Sequence, residues 1–171
     1  MSEIGDAVAR AGAYLTEHPD EARYRDSAAT ARLADGLRVT VTGPSGESLR
    51  TDMPRGIGGS ASVPSPGWHF RAAAASCVAS LIAIRAATLG IDLAGADVEV
   101  VVDSESDDRG ILGLDDSIPA GALSMKVAVR IEGTQLGTDA RMALARWALD
   151  HCPVTETTSR PVPIELEVVS G

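Results

Sequence analysis

Hydrophobic and polar positions recur with two different periods along this chain. Near its start, Ile4, Val8, Ala11 and Leu15 return every three or four residues, which predicts a short amphipathic helix over 3–17, closed by Pro19. A second short helical piece follows at 20–25. From Ala28 the period drops to two. Ala-Thr-Ala-Arg-Leu and Leu-Arg-Val-Thr-Val flank Asp35-Gly36, a dipeptide suited to the positive φ of a hairpin turn, so strand, turn, strand is expected. Gly43-Pro44-Ser45-Gly46 makes a second turn, and 48–51 reads as a third short strand. Residues 52–67, rich in Gly and Pro with Gly58-Gly59 in their midst, read as a loop.

The segment from Pro66 to Leu89 is different. Pro66 suits a first helical turn and Gly90 the position just past a helix end. Ala72–Ala75, Cys77, Val78, Leu81, Ile82, Ile84 and Ala87 between them predict a helix apolar nearly all round, which is a buried one. Arg71 and Arg85 interrupt it too often for a membrane span. Val98, Val100 and Val102 then alternate in a strand over 97–102. Met125, Val127, Val129 and Ile131 do so over 124–131. A long acidic excursion, 103–123, joins them. Thr138, with Asp139 after it, opens a helix whose face is Leu136, Ala140, Leu144, Trp147 and Ala148. It ends near His151, with Pro153 as its stop. Val162, Ile164, Leu166 and Val168 alternate with Glu165 and Glu167 and predict a last, half-buried strand. Strands come in hairpin groups rather than singly between helices, so the fold class is α+β.

Composition narrows what such a fold does. The chain has 171 residues, enough to bury roughly 70% of its unfolded surface without metal or disulfide support. Its aromatics are two Trp, two Tyr and one Phe, so the core is aliphatic. The net charge of −9, with Lys126 the single lysine, argues against nucleic acid and against an acidic membrane surface. The opening residues lack the basic and apolar regions of a secretory signal, which makes cytoplasmic the expected location.

Candidate chemistry rests on Cys77 and Cys152. They are too far apart for a CxxC redox pair or a zinc ribbon, and His18, His69 and His151 are scattered, so no metal cluster is expected. From spacing alone, a cysteine in an Ala-rich helix reads as a small core hydrophobe. Cys152 stands at a helix end between His151 and Pro153. The negative partial charge of a helix C-terminus would raise its pKa, fitting it to resolve a reaction rather than start one.

Two segments carry a resemblance. Ser65-Pro66-Gly67, followed by Ala-Ala-Ala-Ala-Ser-Cys77, resembles the first cysteine motif of the OsmC/Ohr (organic hydroperoxide resistance) family. His151-Cys152-Pro153-Val154-Thr155 resembles its second. The resemblance covers roughly residues 28–169. It implies an OsmC-like domain over 28–171 after a helical extension, 1–27, with antiparallel sheets around two central cysteine-bearing helices in an intertwined homodimer. It further implies a thiol-dependent peroxidase that reduces organic hydroperoxides in oxidative stress defence and uses no metal or flavin cofactor. Cys77 would be oxidised to a sulfenic acid, Cys152 would resolve it as a disulfide, and a dithiol reductant would reopen it.

The chain departs from that family where Gly67 stands in place of a Glu that pairs with an activating Arg. Arg38, Arg55 and Arg71 are candidate substitutes. The departure supports an alternative: an OsmC-fold protein with weak or no peroxidase activity that binds a small apolar ligand at the dimer interface. Trp68 and His69 are expected to be a packing residue and a solvent-facing one. The acidic run at 103–110 lacks the Gly and the terminal Glu of a calcium loop, so it reads as a solvated excursion. Ile111, Leu112, Leu114, Ile118 and Leu123 call for burial, which folds that excursion back over the subunit interface.

Overall fold

A computed structural model of the protein describes residues 2–169. The described residues divide into two compact units, one of residues 6–73, the other of 2–5 with 74–169.

The first unit carries most of helix α1 (Glu3–Glu17), a 3-10 turn at Pro19–Ala22, and strands β1 (Thr30–Leu33), β2 (Val39–Thr42) and β3 (Ser48–Thr51). The strands form an antiparallel sheet in the order β1-β2-β3, with Leu33 opposite Val39 and Val39 opposite Thr51. Gly36, at φ 62°, makes the expected turn.

The loop after β3 is ordered by Asp52. Its side chain is 2% exposed. Its carboxylate accepts hydrogen bonds from the backbone N–H and hydroxyl of both Ser60 and Ser62, and from the Met53 N–H. Ala61, between the two serines, has φ 52°, a left-handed conformation rare outside glycine. That reversal points successive donors at one carboxylate. Gly59 is obligatory here, because a Cβ would stand 1.9 Å from the Met53 carbonyl oxygen.

Helix α2 (Pro66–Thr88) begins in this unit and runs into the second. There follow β4 (Asp97–Glu105), the short α3 (Asp108–Ile111), β5 (Ser124–Glu132), α4 (Thr138–His151) and α5 (Pro153–Ser159). β4 and β5 pair antiparallel over nine residues each, with Val98 opposite Ile131 and Val102 opposite Val127. The outer face of this pair is charged. Arg130 bonds Asp97 at 3.1 Å, Glu99 at 3.2 Å and Glu132 at 2.8 Å.

The core of the second unit is built from two matched stripes. Val78, Ile82 and Ala86 recur every fourth residue on α2. Leu144, Ala148 and Cys152 do the same along α4 and its end. Ile131 of β5 completes the cluster. By length and composition α2 is apolar enough to cross a membrane, but only one stripe of it is buried in this unit. Leu81, Ala83 and Ile84 are half-buried and Leu89 is exposed.

Three expectations are corrected. Pro153 ends α4 but also opens α5, since proline is well suited to a first helical position. The last strand does not form. Residues 160–169 have no regular structure, and Ile164 is 92% exposed, because among the described residues no strand lies beside them to accept their hydrogen bonds. The excursion is shorter than its polar sequence suggested, β4 running on to Glu105. Its Ile111, Leu112, Leu114 and Leu123 are exposed.

Two outcomes follow for stability. Ile82→Ala, which empties the centre of the α2 stripe, should cost ~2–5 kcal/mol in urea unfolding. Asp52→Asn should destabilise the protein at pH 7. The hydrogen bonds hold the Asp52 carboxyl well below the usual carboxylate range, first of all that from the Ser60 hydroxyl. Its contribution is therefore complete above the unfolded pKa of about 4 and is lost as pH falls through the folded value, so variant and wild type should converge in acid. Parallel thermal unfolding curves at all pH values would contradict this.

Candidate functional site

Cys77 lies in the body of α2, next to Val78 of the core stripe, and is half-buried. Cys152 lies at the junction of α4 and α5 and is fully buried. Its φ of −75° and ψ of 116° break the helical run, so one residue caps the end of one helix and the start of the next. The junction is tied on both sides. The Glu156 N–H donates to the Cys152 carbonyl at 2.8 Å, and the Thr155 hydroxyl donates to the Leu149 carbonyl at 2.8 Å.

The structure brings the two cysteines together. Cys77 packs against the cluster that contains Cys152, and both are free thiols. Their ionisation is displaced in opposite directions. Burial pushes the Cys77 thiol up, the contact with Cys152 adds to this, and the Val154 N–H offsets only part. Burial also disfavours the Cys152 thiolate, but it is outweighed by the Thr155 N–H first, then the Cys77 thiol and the Val154 N–H, so its pKa is lowered. This reverses the expectation from the C-terminus of α4, because Cys152 also heads α5, whose first N–H groups have no carbonyl to bond within the helix.

Other candidates stand elsewhere. The His151 ring stacks on Trp147 at 4.2 Å and its Nδ1 pairs with the Trp147 carbonyl at 2.8 Å. Arg85 lies over the same indole at 4.9 Å, a cation–π contact that joins α2 to α4. In the first unit, Arg38 is paired with Asp35 at 2.5 Å, and Arg55 reaches the Ser60 carbonyl at 3.4 Å. His69 is half-buried rather than solvent-facing, with Nε2 3.3 Å from the Arg50 carbonyl oxygen. Trp68, beside it, is 50% exposed. Asp107 is spent on Arg109, and among the described residues no three His, Cys, Asp or Glu side chains gather as a metal site.

The family model described as OsmC-like protein matches residues 59–167, which include both cysteines. The chain belongs to the OsmC-like protein family. Solved structures agree on its fold. An organic hydroperoxide resistance protein OsmC from Legionella pneumophila matches with a TM-score of 0.59 and 24% identity, over 78% of this chain and 89% of that one. An OsmC-like protein from Mycoplasma pneumoniae gives 0.65 at 14% identity, over 80% and 89%. The organic hydroperoxide resistance protein OhrB of Bacillus subtilis gives 0.51 at 20%, over 78% and 90%. No curated protein matches the sequence significantly.

Val154 and Thr155 entered the sequence motif without a role of their own. Their signal was Pro153, which marks a helix start as readily as a stop. In this OsmC-like protein the place of Gly67 is also open: a Cβ there would meet the Arg71 guanidinium at 3.7 Å and Ser65 Oγ at 3.9 Å, ordinary contact distances. Gly67→Glu should therefore be accommodated. It should stabilise the fold by about 1 kcal/mol, from the lost flexibility of glycine and a favourable anion in the first helical turn. Destabilisation in urea would show the position to be closed. Mild oxidation of the wild type should consume both thiols within one chain, and Cys77→Ser or Cys152→Ser should abolish that crosslink.

Proposed function

We propose that this OsmC-like protein is a thiol-dependent peroxidase that reduces organic hydroperoxides. The observation that carries this reading is the meeting of two free thiols, one half-buried and one fully buried, in a single aliphatic cluster. Cys77, the one with open surface, attacks the terminal oxygen of the hydroperoxide. The O–O bond breaks, the alcohol leaves, and Cys77 becomes a sulfenic acid. Cys152 then attacks that sulfur and expels the hydroxyl group, which takes up a proton as water, leaving a disulfide. A dithiol reductant supplies the two electrons that reopen it. The solved relatives named as organic hydroperoxide resistance proteins support the substrate class.

Assembly belongs to the same proposal. The apolar positions of α2 that its own unit leaves half-buried, and the exposed alternation of Val162, Ile164, Leu166 and Val168, suit a second copy of the chain. Each strand position covered would recover about 25 cal/mol per Å² of apolar surface. We expect a homodimer at micromolar concentration, and a monomer in sedimentation equilibrium would contradict it.

The alternative, a protein of the same fold that binds a small apolar ligand, is favoured by Gly67 in place of the family Glu. Peroxide-dependent oxidation separates the two. Cys77→Ser should abolish hydroperoxide turnover. Cys152→Ser should complete one round and stop with a sulfenic acid trapped at Cys77, detectable by a dimedone adduct. A wild type with no hydroperoxide-dependent oxidation would leave the binding reading standing.

A further inference from the structure

Each apolar stripe of the core has a row of side chains beside it. On α2, Cys77, Leu81 and Arg85 stand one residue before Val78, Ile82 and Ala86. On α4, Trp147 and His151 stand one residue before Ala148 and Cys152. Residues four apart stack along one face of a helix, so Cys77 and Arg85 share a flank of α2, and Trp147 and His151 share a flank of α4. These flanks touch. The Arg85 guanidinium carbon lies 4.9 Å from the centre of the Trp147 ring. The His151 ring stacks on the same indole, 4.2 Å centre to centre and 16° from parallel. A carbonyl oxygen only accepts, so His151 Nδ1 carries a proton and donates it to the Trp147 carbonyl at 2.8 Å. Arg85, Trp147 and His151 thus form one continuous stack from α2 to the residue joined to Cys152.

We propose that Arg85 and Trp147 are positioning residues for the thiol pair: their contact seats the last turn of α4 on α2 and so holds Cys152 where it can attack an oxidised Cys77. This rests on the peroxidase reading above, whose resolving step it concerns. In that step the Cys152 sulfur bonds to the sulfur of the Cys77 sulfenic acid. The S–O bond breaks, and the hydroxide takes up the proton of the Cys152 thiol as water. A disulfide forms only when the two Cα atoms come within ~7 Å with suitable side-chain directions, so small displacements are felt in its rate. Arg85 stands eight residues from Cys77, about 12 Å along α2, and Trp147 five residues from Cys152, about 7.5 Å along its helix. A displacement at this contact therefore passes to Cys152, while Cys77 stays in the body of its own helix.

The residue types suit this role. The last two stripe residues of α4, Ala148 and Cys152, are small and fully buried, and the large side chain of that turn is Trp147. A guanidinium is planar, always charged and weakly hydrated, which fits it to lie flat on an indole. Arg85 is half-buried, where such a contact is stronger than at an open surface. Among the described residues no carboxylate forms an ion pair with it, so the indole is its partner.

The first arm of the test needs no peroxide. Full-length protein is equilibrated with mixtures of reduced and oxidised glutathione, quenched in acid, unfolded and alkylated. The fraction carrying the Cys77–Cys152 disulfide gives the effective concentration of the pair. Arg85→Met and Trp147→Leu should each lower it by roughly 10-fold, and Arg85→Lys, which keeps a cation, should fall between Arg85→Met and the wild type. Combining Arg85→Met with Trp147→Leu should cost no more than the larger single loss, as two ends of one contact require. Urea unfolding of the reduced variants reads stability separately, and Trp147→Phe keeps an aromatic face if Trp147→Leu does not fold. A contact that only supports the fold would lower the unfolding midpoint and leave the effective concentration of the folded variants unchanged. That result, or fully additive losses, would overturn the proposal. In the second arm, an alkyl hydroperoxide oxidises Cys77 in a single turnover. Arg85→Met should form the sulfenic acid at the wild-type rate and convert it to disulfide roughly 10-fold more slowly. Equal slowing of both steps would overturn the positioning role. A wild type inert to hydroperoxide would remove the peroxidase reading, and the glutathione equilibrium would still decide whether Arg85 and Trp147 position the pair.

Discussion

The site depends on two stripes of side chains spaced four residues apart. Val78, Ile82 and Ala86 on one helix share a cluster with Leu144, Ala148 and Cys152 on another, and all six are at most 1% exposed. Close packing of this kind leaves little room for adjustment, so the register of one stripe against the other is fixed by shape. Cys152 belongs to its stripe, while Cys77 is the residue before Val78. The meeting of the thiols therefore follows from the register of a hydrophobic core.

The junction after α4 supplies the electrostatics. A helix ending at Cys152 presents carbonyls, which disfavour an anion; a helix beginning there presents N–H groups, which favour one. Both occur at this residue because Pro153 halts α4 and at once starts α5. The Thr155 hydroxyl spans the break by bonding the Leu149 carbonyl, holding the second helix against the end of the first. The backbone donors of that junction lower the Cys152 pKa against its burial.

Asp52 shows the same physics in the other unit. A carboxylate with 2% exposure is tolerated because five donors converge on it, two of them from a backbone reversal at Ala61. The loop of 53–64 keeps its shape through that one anion. Nothing in its Gly- and Pro-rich sequence indicated a buried charge, since five donors spread over ten residues have no periodicity to read.

Most elements were legible from period alone. The 3.6-residue recurrence located α1, α2 and α4. Alternation located the hairpin sheet and the β4–β5 pair, and two short motifs around Cys77 and Cys152 indicated the family. Those features are local, because amphipathicity is written into residues that are neighbours along one element. The alternation of Ile164, Leu166 and Val168 was equally clear, yet they form no strand here, because a strand exists only where another backbone accepts its hydrogen bonds. The half-buried state of His69 and the exposure of Ile111 and Leu114 likewise depended on what lies opposite. The tertiary structure alone decided that Cys77 packs on the cluster that holds Cys152. An ionisation is set by donors and burial in three dimensions, and the sequence around Cys152 gave a helix end without showing that the same residue was also a helix beginning.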